Sequence, residues 1–287
     1  MIICITKAKQ LFSCFLILIM LLSGIFAYAS VKSGTDDKEI AVPILMYHSI
    51  LKDPKRSGDY VVTPDTLEND MKYLRNHGYE TVLVKDLIAY VYDDVKLPKK
   101  PVVLTFDDGH YNNMVYLLPL LEKYKMKAVI SVVGSYTEQF SLNDSHNPNY
   151  SYLTWDDIRE LESSGKIEIA NHTYHFHEKN HRKGCSILNS ETTAEYQEKL
   201  HADLKSLQLA LAENSNITPP VTFTYPFGYI CAESQNPIES TGFLASLSCY
   251  ERINSISKDK GCLYMLGRYN RPAQIQTEEF MKKIKLP

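Results

Sequence analysis

No CxxC pair occurs among the six cysteines of this chain, so no spacing suggests a thiolate-built metal site. No charge of either sign dominates. The 287 residues carry a formal net charge of -3, with Lys and Arg spread along the chain rather than bunched, which argues against a nucleic-acid partner. No internal repeat and no low-complexity tract is present, so neither a solenoid nor a disordered array is expected. What is present is an apolar supply, 44% of all residues, sufficient for one large domain of the size that α/β barrels reach.

The N-terminus differs from the rest. Lys7 and Lys9 precede an apolar run from Leu11 to Leu22, and small residues flank Tyr28 before a cleavage point after Ala29. Residues 1–29 therefore read as a secretory signal. An uncleaved N-terminal membrane anchor is the other reading, since the run to Ala29 approaches the roughly 20 residues that span a bilayer. On either reading the remainder is exported, secreted or held on the outer face of the cytoplasmic membrane, with no membrane contact beyond that segment. Residues 30–40 are small and polar, a flexible linker. Residues 41–287 are the folded domain, expected as a monomer. Cys185, Cys231, Cys249 and Cys262 remain in the exported part. Four cysteines allow three pairings, and Cys249 and Cys262 are near enough in sequence to bridge a hairpin; free buried thiols are the equal alternative.

From Ala41 onward, strand and helix patterns alternate. Strands are expected at 42–47, 80–84, 101–106, 128–133, 167–170, 221–225, 245–248 and 263–266. PVVLTF, at 101–106, is apolar throughout, as in a strand buried on both faces. Helices are expected at 86–91, 113–124 and 190–212, after Thr63-Pro64 up to Gly78, and after a Thr154/Asp157 capping box up to Gly165. This alternation implies an α/β fold, a barrel of seven or eight strand–helix units whose chemistry gathers at the C-terminal strand ends.

Three motifs stand at such ends. Thr105-Phe106-Asp107-Asp108-Gly109 puts two carboxylates after a buried strand. One can bind a cation while the other serves as general base, although a solvated turn has the same composition. Asn171-His172-Thr173-Tyr174-His175-Phe176-His177 gathers three of the nine histidines in six residues. Two imidazoles and one carboxylate with open positions make a hydrolytic metal site; a His-rich surface loop is the plainer reading. Tyr225-Pro226-Phe227-Gly228 is alone only a turn, yet it could offer a backbone N–H and a sugar-facing ring.

Taken together and in this order, TFDDG, HTxxxH and YPFG resemble the polysaccharide deacetylase family, carbohydrate esterase family 4, whose domain is the NodB-homology type. The segments PILMYHSI, LPKKPVVLTFDDG, TGFLASLS and LGRYNRP extend the resemblance over roughly residues 41 to 287. It is nearest to the biofilm poly-N-acetylglucosamine deacetylase branch. The resemblance implies a distorted (β/α) barrel of about seven strands and a metal-dependent hydrolase removing N-acetyl groups from an extracellular polysaccharide, of poly-N-acetylglucosamine or peptidoglycan type. It implies Asp107 as base, with Asp108 and His172 as ligands of a divalent ion, Zn2+ by default and Co2+ or Ni2+ as fits. The family's commonest spacing would place its second histidine at Phe176; the biofilm branch's spacing selects His177, with His175 as the alternative. Thr173 would steady the loop, and the Phe227 N–H would meet the oxyanion, with Tyr225 and Pro226 beside it. The family's late histidine and the third motif's arginine are both missing. His48, at the first strand's end, is the candidate acid, with packing or substrate binding as the equal alternative, and Arg268 or Arg271 is the candidate replacement for the arginine. A sugar-binding module that has lost activity and an O-acetyl esterase on the same fold are the rival functions.

Overall fold

Strands buried on both faces build the sheet first. The computed structural model describes residues 39–143 and 146–286, so the expected leader and nearly all of the linker lie outside the described residues. The strands in chain order are β1 (Ile40–Val42), β2 (Ile44–Tyr47), β3 (Ser49–Ile50), β4 (Val61–Val62), β5 (Glu80–Thr81) and β6 (Pro101–Phe106). They continue as β7 (Ala128–Val132), β8 (Ile167–Asn171), β9 (Thr222–Thr224), β10 (Ala245–Leu247), β11 (Asn254–Ile256) and β12 (Tyr269–Asn270). Seven form one parallel sheet in the order β10-β9-β8-β7-β6-β2-β12, with β5 alongside β6.

The sheet curls back on itself. Among the described residues a single bridge joins its two edges: Leu266 N donates to Ser246 O and Ser248 N donates to Leu266 O, both at 2.8 Å. Residues 266–270 thus touch β10 at one end and β2 at the other. The barrel is distorted because its last member is two residues long.

Successive residues of one strand point to opposite faces, so each strand feeds two cores. Leu104, Phe106, Ile130 and Ile169 pack against Leu67 and Met71 of the helix Pro64–Asn76 and Leu121 of the helix Leu118–Tyr124. Their neighbours Val103, Val129 and Ala170 join Ile44 and Leu247 in a second cluster drawn from around the ring. Burying each such side chain contributes about 1.5–3 kcal/mol.

The expected caps hold. Thr154 accepts from Asp157 N at 3.2 Å and opens the helix Trp155–Ser163. Some boundaries move. The strand expected to Val84 stops at Thr81, because the Asp86 carboxylate accepts from Leu83 N at 2.9 Å and starts the helix Val84–Asp93. The strand expected at 263–266 shrinks to the Leu266 bridge: Leu263 ends a 3-10 turn, Lys260–Leu263, nucleated by Asp259 accepting from Gly261 N at 2.9 Å, and residues 264 and 265 turn. The sheet's closing strand falls later, at β12.

The four described cysteines are free. A Cys249–Cys262 bridge is not formed, since the two thiols face different neighbours: Cys249 Sγ lies 3.9 Å from Arg268 Nη2, and Cys262 Sγ lies 3.8 Å from Ser257 O. No helix among the described residues is long and apolar enough to cross a membrane.

Candidate active site

The C-terminal ends of β6, β8 and β9 bring the three motifs together. Asp107 N still belongs to the ladder, donating to Tyr47 O at 3.0 Å. The chain then turns through Asp108 at φ 75 and Gly109 at φ 71. A Cβ on Gly109 would stand 3.1 Å from Val132, so both the space and the backbone favour glycine here. Thr173 (φ 72) and Phe227 (φ 55) occupy the same left-handed region. Asp108, Thr173 and Phe227, three non-glycine residues on three neighbouring loops, therefore hold a costly conformation around one point, a pattern common at functional sites.

Asp108 Oδ1 lies 3.1 Å from His177 Nε2 and 3.6 Å from His172 Nε2. One donor atom from each of these residues falls within 4.8 Å of the others, so the trio can share one ion. Their tautomers suit this. His172 Nδ1 is 2.8 Å from the Thr224 carbonyl, which can only accept, so Nδ1 carries the hydrogen and Nε2 presents a lone pair. His177 Nδ1 is likewise engaged, 3.1 Å from the Tyr136 hydroxyl. Orientation of a ligand imidazole through its other nitrogen is characteristic of metal sites. The donor set fits a divalent ion. His175 is left out: its side chain is exposed and its ring packs edge-on to Tyr174.

The loop between the histidines is held by the side chains of Asn171 and Asp203 rather than by Thr173. That residue's hydroxyl has no hydrogen-bond partner among the described residues, which corrects its expected steadying role. Asn171 Oδ1 accepts from Thr173 N at 2.9 Å, and Asp203 on the helix Thr193–Ala210 accepts from Tyr174 N and His175 N, each at 2.7 Å. Beyond His177, Gly184 at φ 50 lets the chain pass the YPFG turn, where a Cβ would stand 2.6 Å from Pro226 O.

Asp107 is buried and held in a fork. Arg268 Nη1 donates to its Oδ1 at 2.7 Å and Arg268 Nη2 to its Oδ2 at 2.8 Å, while Arg268 Nε donates to Ser248 O at 2.8 Å. Burial pushes the Asp107 carboxyl up, but Arg268, with His172 and His48 behind it, outweighs this and holds it below the usual carboxylate value. In Asp108, burial is likewise overcome by His110, His172 and His177, and the carboxyl lies well below its ordinary range. Of the two candidate arginines, Arg268 alone reaches the site. Arg271 pairs instead with buried Asp70, at 2.8 and 3.1 Å, and Asp70 also accepts from Tyr47 OH at 3.0 Å.

His48 is near enough to Asp107 and Asp108 to feel both charges, and its Nδ1 is buried without a partner among the described residues. Burial leads in lowering its pKa below the ordinary value. Phe227 lies at the mouth, its ring 4.3 Å from that of His177 and covered by Lys179 Nζ at 4.3 Å. Pro226 is buried beneath it. Tyr225 does not face a substrate. It is 1% exposed, its N–H donates to Leu247 O at 3.0 Å, and its hydroxyl meets Ser234 Oγ at 3.1 Å.

Three site residues were not anticipated. His110 Nε2 lies 3.5 Å from Asp108 Oδ2 and stacks on Tyr152 at 4.9 Å; Tyr136 packs on both Tyr152 (4.6 Å) and His177 (5.5 Å). His110 follows TFDDG directly and could have been noticed. Tyr136 and Tyr152 carry no sequence signal.

A parallel-stranded barrel with an Asp–His–His cluster and a clamped second carboxylate at its rim defines a class, the NodB-type hydrolases. The sequence pattern of that class, named polysaccharide deacetylase, matches residues 94–245, and the chain belongs to this family of enzymes. The match takes in Asp107, Asp108, His172, His177 and the YPFG turn, but neither His48 nor Arg268. The chain is 31% identical to YxkH of Bacillus subtilis, whose name assigns it provisionally to the polysaccharide deacetylases, over 81% of this chain and 72% of that one. It is 27% identical to the poly-beta-1,6-N-acetyl-D-glucosamine N-deacetylase of Escherichia coli K12, over 58% of this chain but only 28% of that longer protein. A de-N-acetylase structure from Aggregatibacter actinomycetemcomitans shares the fold, with 24% identity and a TM-score of 0.71, covering 85% of this chain and 100% of that one.

Proposed function

We propose that this protein removes N-acetyl groups from an exported polysaccharide of the poly-N-acetylglucosamine or peptidoglycan type, at the cell surface or outside it. The observation that carries the reading is the convergence of Asp108, His172 and His177 beside Asp107, which Arg268 keeps ionised. Asp108, His172 and His177 would hold a divalent cation, zinc by default. That ion, when bound, supplies a lowered water pKa and polarisation of the acetamide carbonyl.

The remaining chemistry belongs to side chains and backbone. Asp107, anionic and oriented through both oxygens, takes the proton from the attacking water. Phe227 is held in a left-handed conformation, and its N–H serves as donor to the developing oxyanion. The leaving nitrogen needs a proton. His48 relays to it the proton that Asp107 took from the water, because a lowered pKa makes a proton passed to its imidazole readily released. Half-buried Tyr136 and Tyr152 border His177 and His110, aromatic surface suited to a sugar ring.

The deciding experiment measures acetate release from N-acetylated and O-acetylated polymers, with and without chelator. Chelator-sensitive release from the N-acetylated set supports the reading. Release confined to O-acetyl esters would replace it with an esterase, and polymer binding without release would replace it with a sugar-binding module.

A further inference from the structure

The strands end at two faces, and the one remote from Asp107 carries its own groove. This groove, about 480 Å³, opens where β5, β6 and β7 begin. For strands of this length it lies on the order of 20 Å from the active-site rim. Its volume falls within the range of ligand sites, about 300–1,000 Å³. Three segments wall it: the end of the helix Pro64–Asn76 running into β5, the loop before β6, and the turn before β7.

Cations outnumber acids there. Arg75, Lys96, Lys125 and Lys127 line the groove against Glu80 and Asp86. Asp86 is already engaged, capping Leu83 N at 2.9 Å and lying 3.8 Å from Lys127 Nζ. Lys96 and Lys125 are exposed, with no carboxylate in ion-pair range among the described residues. These residues are scattered in sequence, and folding gathers them in a chain whose net charge is -3. Two aromatic rings complete the walls. Tyr124 lies under Arg75 at 4.8 Å, and Tyr79 lies under Lys100 at 5.2 Å.

We propose that this groove is a second, non-catalytic site that binds an anionic polysaccharide, a glycan bearing repeated carboxylate or phosphate groups. The lysines meet the anions, and the edge of half-buried Tyr79 borders the sugars between them. A lipid surface would engage protruding cations, but it would not enter the recess between them. The proposal does not depend on the deacetylase reading.

The test is binding of the whole chain to polygalacturonate, with neutral dextran and phosphatidylglycerol vesicles as parallel arms. Expected is salt-sensitive binding to polygalacturonate alone. It should weaken about tenfold or more in Lys96→Glu/Lys125→Glu and remain unchanged in Lys205→Glu, an exposed lysine outside the groove. Lys96→Gln should show a smaller loss, and unchanged thermal melting should show that each variant is folded. Equal binding to dextran, undiminished binding by the folded double variant, binding to vesicles only, or no binding in any arm would each overturn the proposal.

Discussion

Arg268 grips both carboxylate oxygens of Asp107, at 2.7 and 2.8 Å, across 161 residues of chain. Bidentate pairing of this kind is beyond the reach of lysine. The expected consequence is directional. Without the guanidinium, burial is opposed only by the weaker pull of His172 and His48, and the Asp107 pKa rises. A base must be ionised to work, so in Arg268→Lys the acid limb of kcat/KM against pH should move to higher pH. An acid limb that stays in place would show that the fork does not set the base.

Asp107→Asn should retain the ion and lose turnover, by roughly 10²–10⁴-fold as for loss of a general base. Metal content by atomic absorption and acetate release on the same sample check this. Joint loss of both would move Asp107 into the ligand set.

The histidines separate cleanly. His177→Ala should empty the site, whereas His175→Ala should leave affinity unchanged because that ring is exposed and outside the cluster. Tyr136→Phe removes the partner of His177 Nδ1 and should weaken affinity about tenfold. Competition with a chromogenic chelator reads all three. An emptied site in His175→Ala would reverse the assignment.

Chelated protein should lose stability on the acid side in two stages. His48 has its folded pKa below the ordinary 6.5, so the unfolded chain takes up the proton first and stability declines as pH falls below that value. Asp107 has its folded pKa below the ordinary 3.8, so the stability it contributes is present above that value and is lost as pH falls through the folded pKa. Urea midpoints measured from pH 7.5 to 3 would expose a flat line if neither holds.

Asp70→Ala should destabilise by about 3–5 kcal/mol, since it strands the Arg271 charge in the interior. The folded fraction should still bind metal with unchanged affinity, because this pair lies outside the metal cluster. A milder loss, or one accompanied by weaker metal binding, would contradict that separation.

Much of this was legible in the sequence where the signal is local. PVVLTF reads as a doubly buried strand, and all six residues are buried. Thr154 and Asp157 read as a cap and form one. The gathering of Asp108, His172 and His177 was accessible because strand ends in such barrels converge. What escaped depends on distance along the chain or on weak periodicity. The helix Gly134–Leu142 buries only Gly134 and Thr137, leaving no apolar stripe to find, yet it carries Tyr136 to His177. The apolar residues at 263–266 suggested a strand, but a two-residue strand with little pattern completes the sheet six residues later. Tyr225 was expected beside the oxyanion donor, and only its packing on Phe223 within a buried cluster and its bond to Ser234 turn it inward.

The short run from Leu266 to Asn270 has two duties. Two hydrogen bonds zip it to β10, and Arg268 projects from its middle onto Asp107. Fraying of that thin suture would withdraw the guanidinium before the rest of the barrel came apart. Heating should therefore quench turnover below the temperature at which the bulk of the protein melts.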